Sequence, residues 1–200
     1  MSVCDNWNTV STFVSKTDFV GWVGSDSNGC FRRVCDQLKK AGYGVRSLGW
    51  SLQAIKDGNI YQTYLAKDIG GRKAGYQKDQ FEAGVEYLKT AMLEKTPVMV
   101  GIEIHADHSS SNDKVTDHYV TIVGMGTDGT GKYFSFYDNA TSLSFPGTSD
   151  KIGASEKNKI YCNCENLSLI GEADPANGYV GKNNFIVTQI RKSAKLPKRK

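Results

Sequence analysis

Pro97 divides this chain into two stretches of different hydrophobic rhythm, and the order of those rhythms limits what it can fold into. Before Pro97 the apolar residues recur at helical spacing. Phe31, Val34, Cys35 and Leu38 fall at i, i+3, i+4 and i+7, with Arg32, Arg33, Asp36, Lys39 and Lys40 on the outside. Gly42 and Gly44 end that helix. Phe81, Val85, Leu88 and Met92 repeat the pattern between Asp79 and Lys95. Pro97 then stops it, because its ring removes a backbone donor and clashes with the preceding turn.

After Pro97 the residues read as strands. Val98-Met99-Val100-Gly101-Ile102-Glu103-Ile104 is a buried run, and His118-Tyr119-Val120-Thr121-Ile122-Val123-Gly124 is a second. Thr127-Asp128-Gly129-Thr130-Gly131 is a hairpin turn leading into Tyr133-Phe134-Ser135-Phe136-Tyr137-Asp138. Ile160-Tyr161-Cys162 and Phe185-Ile186-Val187-Thr188-Gln189-Ile190 complete a sheet. Helices first and antiparallel strands second predict an α+β fold rather than alternating α/β. The stretch from Trp50 to Gly75 is polar, with Leu52, Ile55 and Ile60 suggesting a short helix and turn.

Two hundred residues suit one domain with its own core. The expected organisation is a single domain over 1–190 and a flexible basic tail over 191–200. No apolar run reaches the roughly 18 residues of a membrane span. Nucleic-acid binding is not expected, because aromatic residues are not interleaved with the basic ones of the tail. The N-terminus lacks a basic segment followed by an apolar stretch, so no Sec signal is read there.

Three residues stand at element ends and carry complementary chemistry. Cys30 begins the first helix, where unpaired amides and the macrodipole stabilise a thiolate. Gly29 before it allows close approach of backbone and substrate. On position alone Cys30 also suits a small buried residue. His118 opens one strand and Asp138 closes the next. An antiparallel hairpin puts those two ends side by side although they are twenty residues apart. There a carboxylate can hold the second ring nitrogen and fix the tautomer. The set is that of a cysteine hydrolase, with Cys30 as nucleophile, His118 as base and Asp138 as orienter. Asn139 is the alternative orienter, although alternation points it to the other face. Asn28 and the Cys30 backbone amide are the candidate oxyanion donors.

The five cysteines are Cys4, Cys30, Cys35, Cys162 and Cys164. Cys35 lies on the apolar helix face and is expected in the core. The odd count allows one nucleophile with two disulfides, or five reduced thiols. Cys162-Asn163-Cys164 has no second pair at metal spacing, so no metal site and no cofactor are expected. His105, Asp107 and His108 read as a solvated loop, and Asp117 as a surface charge.

The segment from Asp117 to Gly126, followed by an aromatic strand closing on Asp138-Asn139, resembles the histidine half of the papain-like cysteine peptidases. It is closest in style to bacterial branches such as the bacteriocin-leader peptidase-like group and the cell-wall amidases. Asn28-Gly29-Cys30 before a helix is similar to their nucleophile segment. The likeness covers about half the chain, and the usual Gln ahead of the nucleophile is missing. It implies a papain-like α+β fold, with N-terminal helices packed on an antiparallel sheet, and amide hydrolysis through a thioester. It also implies a peptidoglycan stem-peptide substrate for an antibacterial toxin of the type VI effector kind. Such a protein is exported without a Sec signal, acts in a target cell's periplasm, and has a cognate immunity protein as partner. A net charge of +4 suits an anionic wall. A cytoplasmic protein-processing peptidase, a deamidase toxin, and an inactive binding module built on the same fold are the alternatives.

Overall fold

The computed structural model describes residues 2–21, 29–104, 113–139, 150–177 and 184–197. In chain order its elements are α1 (Gly29–Lys40), β1 (Tyr43–Val45), α2 (Leu52–Lys56), β2 (Ile60–Gln62), β3 (Tyr64–Leu65), β4 (Gly75–Tyr76) and α3 (Lys78–Leu93). There follow β5 (Val98–Glu103), β6 (His118–Thr127), β7 (Lys132–Tyr137), α4 (Asp150–Gly153), β8 (Lys159–Asn163), β9 (Ser168–Glu172), β10 (Asn184–Arg191) and β11 (Ser193–Lys195). Short 3-10 turns occupy Lys16–Asp18 and Pro175–Asn177.

The expected papain-like α+β arrangement of N-terminal helices packed on an antiparallel sheet is not what forms. Strands β5 to β10 close on themselves as a six-stranded antiparallel barrel, with β2 added beside β10. Only α1 and α3 are long helices among the described residues. The element that changes the architecture is β9, a short Gly-containing strand with no long apolar run to announce it. It pairs with β8 from Lys159↔Glu172 to Asn163↔Ser168 on one side. On the other it pairs with β10 at Asn184↔Glu172, Phe185↔Gly171 and Ile186↔Ile170. Both edges of a sheet that would otherwise stay open are thereby satisfied. Strand β10 serves three neighbours: its first half takes β9, its later residues take β5, and β2 adds at Gln189–Arg191. Gly171 makes the seam physically feasible, because the ring of Phe185 occupies the space where a Cβ would stand.

The barrel's inward residues include Val100, Ile102, Val120, Ile122, Phe134, Phe136, Ile160, Leu169, Phe185 and Val187, and they merge into one core with Phe81, Val85, Leu88 and Met92 of α3. Helix α1 instead packs Val34 and Leu38 against Met99 of β5, with Tyr119 alongside. It therefore lies across the outer surface of β5 and β6.

The ordered chain continues past residue 190, so the expected boundary between domain and tail falls inside an element. Arg191 ends β10 fully buried, and β11 pairs with β1. The long side chain of Arg191 is accommodated because it donates to the Ser47 and Leu48 carbonyls and to Gln189 and Tyr119. No helix among the described residues is long and apolar enough to cross a membrane.

Candidate active site

The β6–β7 hairpin sets the relation between His118 and Asp138. Thr121 is opposite Tyr137 and Ile122 is opposite Phe136. Since side chains alternate, His118, Val120, Ile122, Phe136 and Asp138 share the barrel-facing side. His118 is also opposite Ile102 at the far end of β5. The imidazole is buried and Asp138 is fully enclosed. His118 Nε2 donates to Asp138 Oδ1 across 3.0 Å. This engages Nε2 and leaves Nδ1 as the ring atom available to sulfur.

Cys30 is the second residue of α1 and is half-buried. It stands close enough to His118 for its thiol to act on the imidazole. Burial works against the imidazolium. The charge and hydrogen bond of Asp138, with the hydrogen bond and charge of Cys30 behind them, outweigh burial and lift His118 to about 10. A proton is therefore held on the ring at neutral pH, facing a sulfur in the first helical turn. Backbone N–H groups in that turn have no intrahelical partner and are available to an anion. The structure thus brings together a thiol, an imidazole and a carboxylate in the order that nucleophilic catalysis uses.

Asn139 does not orient His118. Alternation turns it to the opposite face, where its Oδ1 accepts from Thr121 Oγ1 and its Nδ2 donates to the Val20 carbonyl and to Gln37 Oε1. Asn28 lies outside the described residues, as do His105, Asp107 and His108. Cys35 sits on the packed face of α1 beside Met99 and Tyr119, and burial pushes its thiol up. Asp117 is less of a free surface charge than expected, because its Oδ1 accepts from the Ile104 amide at 2.9 Å.

Several positioning residues escaped the sequence reading. Gln37, fully buried on α1, accepts from the Val20 amide and donates to the Asp18 carbonyl. Together with Asn139 it ties α1 to the end of β7, and so ties Cys30 to Asp138. The available signal was a polar residue at a core position of α1, beside Val34 and Leu38. Phe31, next to Cys30, packs edge-on against Tyr119, next to His118, with ring centroids 5.1 Å apart. The Arg191 guanidinium lies 5.3 Å from each ring. The lead-in to His118 is fixed by buried Asp113, which accepts from Thr116, Gln62 and Gln189. Burial opposes the Asp113 charge, but these donors outweigh it and hold the carboxyl below the usual range. A cleft of about 500 Å³ beside Val10, Ser135 and Lys159 does not reach the triad.

No protein-family model, no curated protein and no solved structure matches this chain. What the site does must therefore be read from its own chemistry.

Proposed function

We infer that this protein is a cysteine hydrolase that cleaves an amide bond through a thioester on Cys30. The observation that supports this reading is the buried His118–Asp138 pair, 3.0 Å apart, with Cys30 at a helix N-terminus close enough to act on the imidazole.

The Cys30 sulfur, its proton held by His118, attacks the substrate carbonyl carbon. The carbonyl π pair moves to oxygen, and the Cys30 amide is placed in the first turn of α1 to receive that negative charge. When the intermediate collapses, the C–N bond breaks and His118 delivers its proton to the departing nitrogen. The acyl group is now a thioester. A water then attacks the same carbon, giving one proton to His118, and the C–S bond breaks to release a carboxylic acid and restore the sulfur. Asp138 holds the ring by Nε2 and stabilises each imidazolium.

The substrate we propose is the peptide portion of peptidoglycan, with the protein acting as an exported antibacterial effector in the periplasm of a target cell. This finer reading rests on the sequence likeness around His118 and on the charge of +4. Purified muropeptides incubated with the protein and with Cys30→Ala, read by mass spectrometry, test it. New fragments should carry one added water across a peptide bond and should be absent with the variant. Targeted to the periplasm the protein should lyse cells, while cytoplasmic expression should be tolerated. Cytoplasmic killing without a periplasmic effect would instead favour a protein-directed peptidase or deamidase.

A further inference from the structure

Three of the five cysteines converge far from the triad. Cys162 is on β8 and Cys164 is two residues on, in the turn that follows the strand. Cys4 reaches them from the N-terminal loop, 160 residues away in sequence from Cys164. The sulfurs of Cys4, Cys162 and Cys164 all lie within 4.8 Å of one another. Cys4 and Cys164 form a disulfide, and Cys162 Sγ stands 3.5 Å from Cys4 Sγ.

A disulfide needs two sulfurs, and nothing about holding the loop requires a third. The loop is in fact anchored without any of them. Lys132 Nζ donates to the Cys4 carbonyl at 2.6 Å. Lys89 Nζ donates to the Val3 and Asp5 carbonyls at 3.0 and 2.9 Å. The Trp7 indole donates to the Gly126 carbonyl at 2.8 Å. Cys4 therefore stays beside Cys162 and Cys164 when the disulfide is reduced. Tetrahedral zinc with Zn–S bonds of about 2.3 Å sets its sulfurs about 3.8 Å apart. The Cys4–Cys162 separation already approaches that spacing, and opening the disulfide lets Cys164 reach it.

We propose that Cys4, Cys162 and Cys164, in the reduced protein, form a three-thiolate site for a thiophilic divalent ion of the zinc class. Three thiolates around a dication carry one net negative charge. Lys132 donates to the Cys4 carbonyl and Lys89 to the Val3 and Asp5 carbonyls on either side of it, so two ammonium groups stand by the site to offset that charge. The fourth tetrahedral position goes to water. The two states exclude each other, because the disulfide uses two of the three ligands. Converting one to the other takes two electrons and two protons, giving two thiols: two thiols supply both and leave as a disulfide, whereas a phosphine supplies the electrons and water the protons, the phosphine leaving as its oxide. Metal binding then displaces three protons. An oxidising compartment keeps the disulfide, and a reducing one selects the metal form. This site is independent of the Cys30 chemistry.

The test uses the full chain, reduced anaerobically with a phosphine and titrated with Co²⁺ and then Zn²⁺. One Co²⁺ per chain should bind with a thiolate-to-metal charge-transfer band that Zn²⁺ abolishes. The oxidised protein and Cys162→Ser should each lose at least about tenfold in affinity. Cys30→Ser and Cys35→Ser should keep it. Because Cys162→Ser could perturb folding, thiol alkylation of the wild type gives a second readout. Zn²⁺ should protect Cys4, Cys162 and Cys164 together while Cys35 is unaffected. Absence of the band in the reduced wild type overturns the proposal. So does equal affinity in Cys162→Ser, or alkylation of the three thiols at the same rate with and without Zn²⁺.

Discussion

Gly171→Ala tests the closed barrel at its seam. A Cβ at Gly171 would stand 1.9 Å from Cε2 and 2.1 Å from Cζ of Phe185. Carbon contacts settle near 3.5–4.0 Å, so the ring must retreat by roughly 1.5–2 Å. It has little room, since Phe185 is fully buried and packs edge-on against Phe136 with centroids 5.6 Å apart. Overpacking of this kind costs about 1–3 kcal/mol, and a trapped aromatic ring puts this case in the upper part of that range. For a chain of this size each kcal/mol moves Tm by about 2–4 °C, so the expected loss is about 4–12 °C. Thermal unfolding by circular dichroism measures it, and a double-mutant cycle assigns it. Phe185→Leu destabilises in its own right by removing buried ring atoms. In that background Gly171→Ala should cost clearly less than in the wild type, because Cε2 and Cζ, the two closest clashing atoms, are gone. A Tm unchanged within about 1 °C, or the same cost in both backgrounds, would refute the pairing of β9 with β10. Activity should follow stability here, because β10 ends in the Arg191 that packs on Phe31 and Tyr119 beside the triad.

His118, lifted to about 10 in the fold, should show imidazolium resonances by NMR above pH 8, and Asp138→Asn should bring its titration down by removing the main raising influence. The sign follows from linkage: a raised folded value contributes stability that is complete below about pH 6.5 and is lost as pH rises through about 10. Urea stability of the wild type should therefore fall between those limits more steeply than that of Asp138→Asn; parallel curves would contradict the pairing. Cys30→Ala should lower hydrolysis by several orders of magnitude with the melting curve preserved, whereas Cys35→Ala should keep turnover. The reverse pattern would move the nucleophile to Cys35. Arg191→Lys should cost about 3 kcal/mol in urea unfolding, since a lysine cannot reproduce the buried guanidinium's contacts with Ser47, Leu48, Gln189 and Tyr119. A loss no greater than that of an exposed lysine substitution would show that those contacts carry little.

Local periodicity determined what it physically can. The apolar spacing of Phe31, Val34, Cys35 and Leu38 is a property of one helix, and α1 forms there. The meeting of His118 and Asp138 was legible because one short hairpin relates them and alternation then fixes their common face. The same alternation weighed against Asn139, which stayed the alternative orienter until its bonds to Thr121, Val20 and Gln37 were seen. The tertiary structure alone decided the rest. Barrel closure depends on Gly171 accepting the Phe185 ring, and a short strand such as Ser168–Glu172 gives no periodic signal of which edge it will satisfy. Arg191 reads as the start of a basic tail until the carbonyls of Ser47 and Leu48 are seen beside it. Cys162 and Cys164 lack a metal-like partner pair in sequence, yet Cys4 is brought to them by Lys89 and Lys132 across the fold. Contacts within one element or hairpin follow from side-chain period. Contacts between distant segments follow from how the whole sheet twists and closes, and no window of sequence contains that.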